Sequence, residues 1–341
     1  MTSRVVIYDK AGSPVADVRA GCIRSWRLNQ YGEARFDISL NDHAAKLQFL
    51  EFGNFITVEH EGLPMWGGVI DPPRTWGRRA ISCSAYSGEY LLTWRRSDVE
   101  VKLTGSAGDV YQQIIALANQ PGYIRVAAGA IWTGGSEREE TIQPTTNLYE
   151  EVKRVAKRAE CDFDFTPDFD GQGRLVFKAN WYERAGVDRM LALEEGWNIS
   201  VGDAPVEEQG KIINEVVGYG DGGTWANRPK VKVKDDTSIA RYGLRQGSKS
   251  FGGATMTDTL TDNAPAAVNA SRNPRATYSI TAIDKGDTLA NIRLGDRLPV
   301  RFVTAGFNGD SFGLNAIIRI VGMAWDDSAG VLEIVADEEM D

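Results

Sequence analysis

Short alternating segments separated by turn residues fill the first hundred positions, and this pattern restricts the chain to few folds. The stretch CIRSWRLNQYGEARFDISL, residues 22–40, contains two such segments on either side of Asn-Gln-Tyr-Gly. Alternation of apolar and polar residues is typical of a strand with one buried face. Many short strands at regular spacing indicate a barrel or a sandwich. We therefore predict an all-β region over residues 1–103.

Two adjacent glycines in EHEGLPMWGGVID, residues 59–71, raise the alternative of a phosphate-binding loop. Such a loop needs a helix N-terminus directly after its glycines, so that free N–H groups point at the anion. Gly67 and Gly68 are followed by Asp71-Pro72-Pro73, which is incompatible with a helix start of useful geometry. We predict a strand that bends, or that another backbone segment approaches closely, at this glycine pair.

Residues 104–203 change to a pattern that includes helices. Ser106 and Asp109 have the spacing of a capping box at the start of one helix, which Pro121-Gly122 ends. The apolar stripe of a second amphipathic helix consists of four residues at helical spacing, Leu148, Val152, Val155 and Ala159. Strand patterns follow this helix, and the segment is predicted to be a small α+β domain.

Residues 204–341 return to strand patterns. The exception is a helical segment near 257–272, which Pro265 would kink. The chain is therefore predicted to be mainly β. Its three parts would be a first β-barrel over 1–103, the α+β insert over 104–203 and a second barrel-like domain over 204–341.

Composition and charge narrow the possible functions. The formal net charge is −9, so a phosphate-binding surface is not expected, although like charge would suit a passage for DNA. The start of the chain lacks the apolar core of a signal peptide, and no apolar stretch reaches the roughly 18 residues of a membrane helix. We expect synthesis in a cytoplasm, no membrane-spanning segment and no sequence-specific binding of nucleic acid.

The three cysteines do not form a recognisable framework. Cys22, Cys83 and Cys161 are odd in number and have no CxxC spacing, which argues against disulfides or a zinc site. We expect buried, reduced thiols.

The acid-rich stretch DFDFTPDFDGQG, residues 162–173, invites a calcium site. However, Pro167 interrupts the run, Arg174 follows it, and the phenylalanines alternate with the acids. A calcium loop of the EF-hand type needs a different order of ligands. We predict a β-hairpin with its turn at Gly171, and no bound metal.

No set of catalytic residues is recognisable. His43 and His60 lie in separate segments, and no G-x-S-x-G motif occurs. We predict neither catalytic residues nor a cofactor. An enzyme would require some of the 47 acidic residues to converge in one cleft with strongly shifted pKa values.

Several motifs in the same order resemble those of tail-tip hub proteins of long-tailed bacteriophages. The N-terminal positions are Trp26, Asn29, Gly32, Trp66, Gly68, Ile70, Tyr90, Leu91 and Arg95. The middle segments TGSAGDVYQQIIALA and NLYEEVKRVAKRAECDFDF are similar to the two helices inserted in that family. The segments INEVVGYG, DDTSIARYGLR and IRLGDRLPVRF resemble its second half.

The resemblance implies a virion protein of the tail tip, with two β-barrel domains of the tail-tube type. Three copies would form a ring that adapts a six-fold tail tube to a three-fold tip and lets DNA pass during ejection. Its partners would be further copies of itself, a distal tail ring protein, and a central fibre, a spike or the C-terminus of a tape-measure protein. Because this sequence stops after its last strand, we expect the minimal form of the hub, without a lytic or receptor-binding extension.

Other functions stay open at this stage. The same fold could serve as the hub of a contractile tail, a tailocin or a related injection machine. A carbohydrate-binding module of the cell surface is a second alternative, and it would need exposed rings at Trp66, Trp94, Trp132, Trp181 and Trp225.

Candidates for interface contacts come from loops that look exposed and from pairs of aromatic and arginine residues. Trp, Tyr and Arg are the residue types that most often anchor protein interfaces. Four residues meet these criteria: Trp66, Trp225, Tyr242 and Arg245.

Overall fold

The computed structural model describes most of the chain between residues 2 and 338. The positions outside the described part are 1, 121, 123, 201–205, 210–211, 221–223, 225–226, 252–256, 270, 273–274, 284–288, 303–313 and 339–341.

The described residues are organised mainly in strands. These are β1 (Ser3–Tyr8), β2 (Pro14–Ala20), β3 (Cys22–Arg27), β4 (Glu33–Ser39), β5 (Phe55–Glu59), β6 (Trp66–Trp76), β7 (Ala80–Ser87), β8 (Val101–Gly105), β9 (Val126–Ile131), β10 (Arg138–Ile142), β11 (Asp162–Phe169), β12 (Leu175–Tyr182), β13 (Leu193–Glu194), β14 (Val206–Gln209), β15 (Glu215–Tyr219), β16 (Lys230–Lys234), β17 (Gln246–Ser250), β18 (Arg275–Ala282), β19 (Arg297–Phe302), β20 (Leu314–Asp326) and β21 (Val331–Glu338).

The helices among them are α1 (Ala107–Ala118), α2 (Leu148–Ala159), α3 (Asp236–Tyr242) and α4 (Thr257–Asn269). Short 3-10 helices cover Gly88–Trp94 and Leu289–Asn291. The predicted mainly β fold class, with few helices, is confirmed.

The chain separates into two compact units, one of Met1–Pro205 with Tyr278–Asp341 and one of Val206–Thr277. This division differs from the predicted one, in which all of 204–341 formed a domain of its own. The reason is that β20 pairs with β3, with Met323 opposite Trp26. Strands from both ends of the sequence therefore share one sheet, and only the segment between them separates off.

The larger unit is built around one long sheet. Its strands follow the order β18, β21, β20, β3, β4, β7, β6, β5, β1, β2, and β19 pairs with the far part of β20. Strand β1 is buried on both faces, because Val5 and Ile7 belong to one hydrophobic core and Val6 and Tyr8 to another. Successive side chains of a strand point to opposite faces, so a single strand supplies both cores.

The first core lies on the face of the N-terminal strands that carries Val5 and Ile7. Phe36, Ile38 and Trp66 are among the large side chains buried there. The free cysteines Cys22 and Cys83 belong to the same core, and burial raises the pKa of Cys22 to about 12 and that of Cys83 to about 11. Cys161 is also buried, so the prediction of buried thiols agrees with the structure.

The second core joins the opposite face of these strands to the α+β insert. Helices α1 and α2 and the sheet of β11, β12 and β9 bury their apolar residues against Val6, Tyr8, Phe55 and Val69. The predicted capping box is present, since Ser106 Oγ accepts from the N–H of Asp109 at 3.2 Å. In the predicted stripe of α2, three residues are fully buried and the last is half-buried.

The glycine pair of β6 lies at a close backbone approach, as the sequence predicted. A Cβ atom on Gly68 would lie 2.3 Å from the carbonyl oxygen of Tyr86 on β7, and one on Gly67 would lie 2.6 Å from Cβ of Pro167. Non-bonded heavy atoms at these distances overlap, so only glycine fits at either position. The pair serves strand packing and is not followed by a helix.

The smaller unit consists of a three-stranded sheet with helices α3 and α4. Strand β15 is central, β16 is antiparallel to it and β17 is parallel. Helix α4 contacts β15 and β16 and buries Leu260, Ala264 and Val268. The predicted helix near 257–272 is confirmed, and it contains Pro265.

Candidate interaction cleft

A cleft with a cavity volume of about 500 Å³ opens in the larger unit between β3, β6 and β11. Two further segments, 184–189 and 293–296, complete its wall. Ser87, Glu89 and Met323 also line it, so the cleft combines residues from seven separate parts of the sequence, which only the folded chain brings together.

The floor of the cleft is mostly apolar. It includes Trp26, Met65, Phe165, Pro167 and Met323. Gly67 of β6 also lines the cleft, and its missing side chain makes room for Pro167, since a Cβ on Gly67 would lie 2.6 Å from Cβ of Pro167.

The two wall segments are fastened together by one buried carboxylate. Asp296 accepts from the N–H of Val187 at 3.0 Å, from Nε of Arg189 at 2.8 Å and from the N–H of Arg293 at 2.9 Å. Gly186 and Gly295 approach each other so closely that a Cβ on Gly186 would lie 2.0 Å from the carbonyl carbon of Gly295. These contacts hold the segments that carry the charged side chains of the cleft.

Four arginines line the cleft: Arg27, Arg184, Arg189 and Arg293. Burial, followed by repulsion from Arg319 and Arg297, lowers the pKa of Arg184 below its ordinary value. The lining thus contains four arginines and three acids, a small excess of basic side chains in a chain of net charge −9.

Three acids line the same cleft: Asp296, described above, and Glu89 and Asp164, whose pKa values are raised. Burial raises the pKa of Glu89 to about 7, while Ser87 Oγ donates to its carboxylate at 2.5 Å and the N–H of Phe165 donates at 2.8 Å. Burial also raises the pKa of Asp164, which accepts from Asn180 Nδ2 at 2.8 Å and from the hydroxyl of Tyr182.

The requirement set for an enzyme is met in part by these two acids. They share a cleft and have shifted pKa values. However, each carboxylate already accepts hydrogen bonds from nearby groups of the protein, which assigns both acids a structural role. Glu89 joins the 3-10 helix Gly88–Trp94 to β11. In the described part of the chain, no group of three or more potential metal ligands converges.

The acid-rich stretch forms the predicted hairpin, with β11 paired to β12 from Asp162–Tyr182 to Phe169–Leu175. Asp162 accepts from Asn29, from the N–H of Ala185 and from Arg319. In the turn, Asp170 accepts from Arg125 at 2.7 Å and from the N–H groups of Gln172 and Arg174. Protein groups thus occupy the oxygens that a cation would need.

Trp66 is not an exposed interface residue, and this corrects the expectation from its loop-like sequence. Its side chain is 1% exposed, and its Nε1–H donates to the carbonyl of Ser25 at 2.8 Å. The prediction expected an exposed ring, but the ring of Trp66 fills the first core.

The other interface candidates lie in or near the smaller unit. Tyr242, at the end of α3, is half-buried beneath the guanidinium of Arg241, and Arg245 is exposed. Trp225 lies outside the described residues. The interface roles of these residues stay predictions.

Four of the five tryptophans that a carbohydrate-binding surface would need lie in the described part of the chain, and they do not form a set of exposed rings. Trp66 and Trp181 are fully buried and Trp132 is half-buried, whereas Trp94 is exposed. The burial of two of the five rings argues against the stacking platform that this alternative requires.

The described helices include none that is long and apolar enough to cross a membrane.

Comparisons with known proteins identify the fold. No family model and no curated protein matches the chain. Prophage tail protein gp18 from Listeria monocytogenes is 14% identical with a TM-score of 0.63, and the match covers 98% of this chain and 94% of that one. The 43 kDa tail protein of prophage MuSo2 from Shewanella oneidensis is 16% identical with a TM-score of 0.64, and the match covers 98% of both chains.

A third solved structure is more distant. The E. coli c3393 protein, a component of the type VI secretion system, is 10% identical with a TM-score of 0.51, and the match covers 94% of this chain and 74% of that one. The two prophage proteins match nearly end to end and with higher scores. The chain therefore has the mainly β fold of prophage tail proteins, which confirms at the level of the fold the resemblance to the tail-tip family.

Proposed function

We propose that this chain is a structural protein of a bacteriophage tail tip, where three copies form a hub ring around the axis of the tail. The observation that carries the proposal is the match of fold over 98% of the chain to two prophage tail proteins of similar length. The proposal assigns no catalysis to the chain.

In this role the ring adapts the six-fold tail tube to a three-fold tip and lets DNA pass during ejection. A distal tail ring protein lies above it, and a central fibre, a spike or the end of a tape-measure protein lies below. The net charge of −9 supports the passage of DNA, because a lumen lined by acids repels phosphate and prevents adhesion. A basic lumen would contradict this part of the proposal.

A second candidate is the hub of an injection machine or of a contractile tail. It is favoured by one observation, the likeness of fold to the E. coli c3393 protein, a component of the type VI secretion system. Both candidates share the ring. They differ in the structure that surrounds the tube, and a sheath gene next to the gene of this chain would favour the second.

Negative-stain electron microscopy of the purified chain at high concentration tests the ring. We expect particles with three-fold symmetry and a central hole. A ring of head-to-tail contacts must close with one repeated interface, so the number of subunits is well defined. Particles of another closed symmetry would overturn the proposal. So would single copies that also fail to assemble on tail tubes purified from the same phage.

A further inference from the structure

We propose that the cleft between β3, β6 and β11 binds an extended acidic segment of a neighbouring tail protein, anchored by one large apolar side chain. This inference rests on the proposed function only in naming the partner as a tail protein. The chemistry of the ligand follows from the cleft itself.

The size of the cleft selects a short segment of chain. A volume of about 500 Å³ lies within the range of roughly 300–1,000 Å³ found for pockets that enclose small ligands. A folded domain cannot enter such a space, whereas a large side chain with its flanking backbone can. In an assembly of tail proteins, a partner would therefore enter the cleft through a short peptide segment.

The floor selects an apolar anchor. Trp26, Met65 and Phe165 line it together with the buried Met323, and methionine and aromatic side chains adapt to apolar groups of varied shape. Burying one large apolar side chain stabilises a complex by about 1.5–3 kcal/mol. This floor gives the segment a fixed position in the cleft.

The arginines of the cleft wall favour a ligand with negatively charged residues next to its apolar anchor. Arg27, Arg184 and Arg293 line the cleft beside this floor. Arginines of this kind pair with carboxylates through two parallel hydrogen bonds.

The acids of the cleft do not cancel this charge. Asp296 is already engaged by Arg189 and by two backbone N–H groups. Glu89 accepts from Ser87 and from the N–H of Phe165, and Asp164 accepts from Asn180 and Tyr182. With four arginines and three acids that already have partners, the lining complements an acidic segment.

The experiment uses the full chain and three synthetic hexapeptides labelled with fluorescein: DELFED, its basic counterpart KKLFKK, and DEAAED, which lacks the apolar anchor. Fluorescence anisotropy measures their binding. We expect saturable binding of DELFED that weakens with added salt, at least about tenfold weaker binding of DEAAED, and no binding of KKLFKK.

Paired variants locate the site. The double variant Arg184→Glu with Arg293→Glu should weaken the binding of DELFED at least about tenfold. The matched control Arg78→Glu with Arg79→Glu makes the same change of charge at exposed positions in the turn between β6 and β7, and it should leave binding unchanged. Circular dichroism melting checks that both variants are folded.

Three results would overturn the inference: no saturable binding of DELFED up to about 1 mM, equal affinity for DELFED and DEAAED, or equal loss of binding in both double variants. Binding that fails while three-fold rings still form refutes this inference alone. Peptide binding without rings refutes the hub alone.

Discussion

Arg24 and Asp327 form an ion pair in which Nη1 lies 3.1 Å from Oδ1 and both side chains are completely buried. The carboxylate of Asp327 also accepts from the N–H and hydroxyl of Ser3, from the N–H of Cys22 and from the indole of Trp325. Burial opposes ionisation of Asp327, but the bonds from Ser3 and the charge of Arg24 outweigh it and lower its pKa. One side chain thus links β1, β3 and the end of β20.

Asp327→Asn should lower the free energy of unfolding by about 3–5 kcal/mol, because it leaves the buried guanidinium of Arg24 without a compensating charge. Urea denaturation followed by circular dichroism measures the change. The control is Asp17→Asn, which breaks an exposed ion pair with Arg4 and should cost at most about 1 kcal/mol. Equal losses of unfolding free energy in the two variants would show that the buried ion pair stabilises the fold no more than the exposed one.

Gly68→Ala should destabilise the larger unit by about 1–3 kcal/mol, because its new methyl group would collide with the carbonyl oxygen of Tyr86 and with the ring of Trp66. Gly171→Ala serves as the control, since a Cβ at that position meets no atom within 4 Å. Its effect should stay within about 0.5 kcal/mol. Thermal melting of both variants measures the difference, and similar melting temperatures would contradict the close approach at Gly68.

Glu89→Gln should change how stability depends on pH. The folded-state pKa of Glu89 is about 7, above the ordinary value of 4.5. Its contribution to stability is therefore fully present below pH 4.5 and is lost as the pH rises through 7. Glutamine keeps the shape of the side chain without the charge. The variant should match the wild type near pH 5 and exceed it at pH 8 by up to about 3 kcal/mol.

Urea denaturation of the wild type and of Glu89→Gln at both pH values tests this prediction. The difference between the two proteins isolates the effect of Glu89 from that of other titrating groups, among them its neighbour Asp164, whose pKa is also raised by burial. A difference that does not vary with pH would show that Glu89 is ionised throughout.

Arg245→Glu should reduce ring formation several-fold if the exposed Arg245 contacts a neighbouring copy. Its backbone N–H, and not its side chain, donates to Asn214 at 2.7 Å, so the substitution should leave the melting temperature unchanged. Mass photometry counts the rings, and Arg78→Glu is the matched exposed control. Unchanged ring formation in Arg245→Glu would remove this residue from the interface.

Single helices and hairpins could be predicted from the sequence, because the residues that specify them lie close together in the chain. The capping box of Ser106 and Asp109, the hairpin of residues 162–182 and the helix around Pro265 each depend on residues close together in the chain. Side-chain spacing and turn residues are sufficient in such cases.

Long-range relationships could not be predicted in the same way. The pairing of Met323 with Trp26 joins strands almost three hundred residues apart, and no local pattern specifies the partner of a strand. The cleft was missed for this reason, since its arginines come from three separate segments. The nearest signal is the pair of glycines, Gly186 and Gly295, each beside cleft arginines and each with a positive φ.

The burial of Trp66 shows where a local pattern misleads. Its residue type and apparent exposure favoured an interface contact, but Trp66 lies in β6 with its ring buried. Beside it, the carbonyl oxygen of Tyr86 lies close to Gly68 and the side chain of Pro167 lies close to Gly67. A large ring beside residues without side chains then fills the core.

Cryo-electron microscopy of tail tips that contain this chain tests the hub most directly. We predict three copies around the axis, at the junction between the tube and the tip, with acidic side chains facing the channel. Six copies around the axis, a position outside the tube, or a channel lined by arginines would contradict the proposed function.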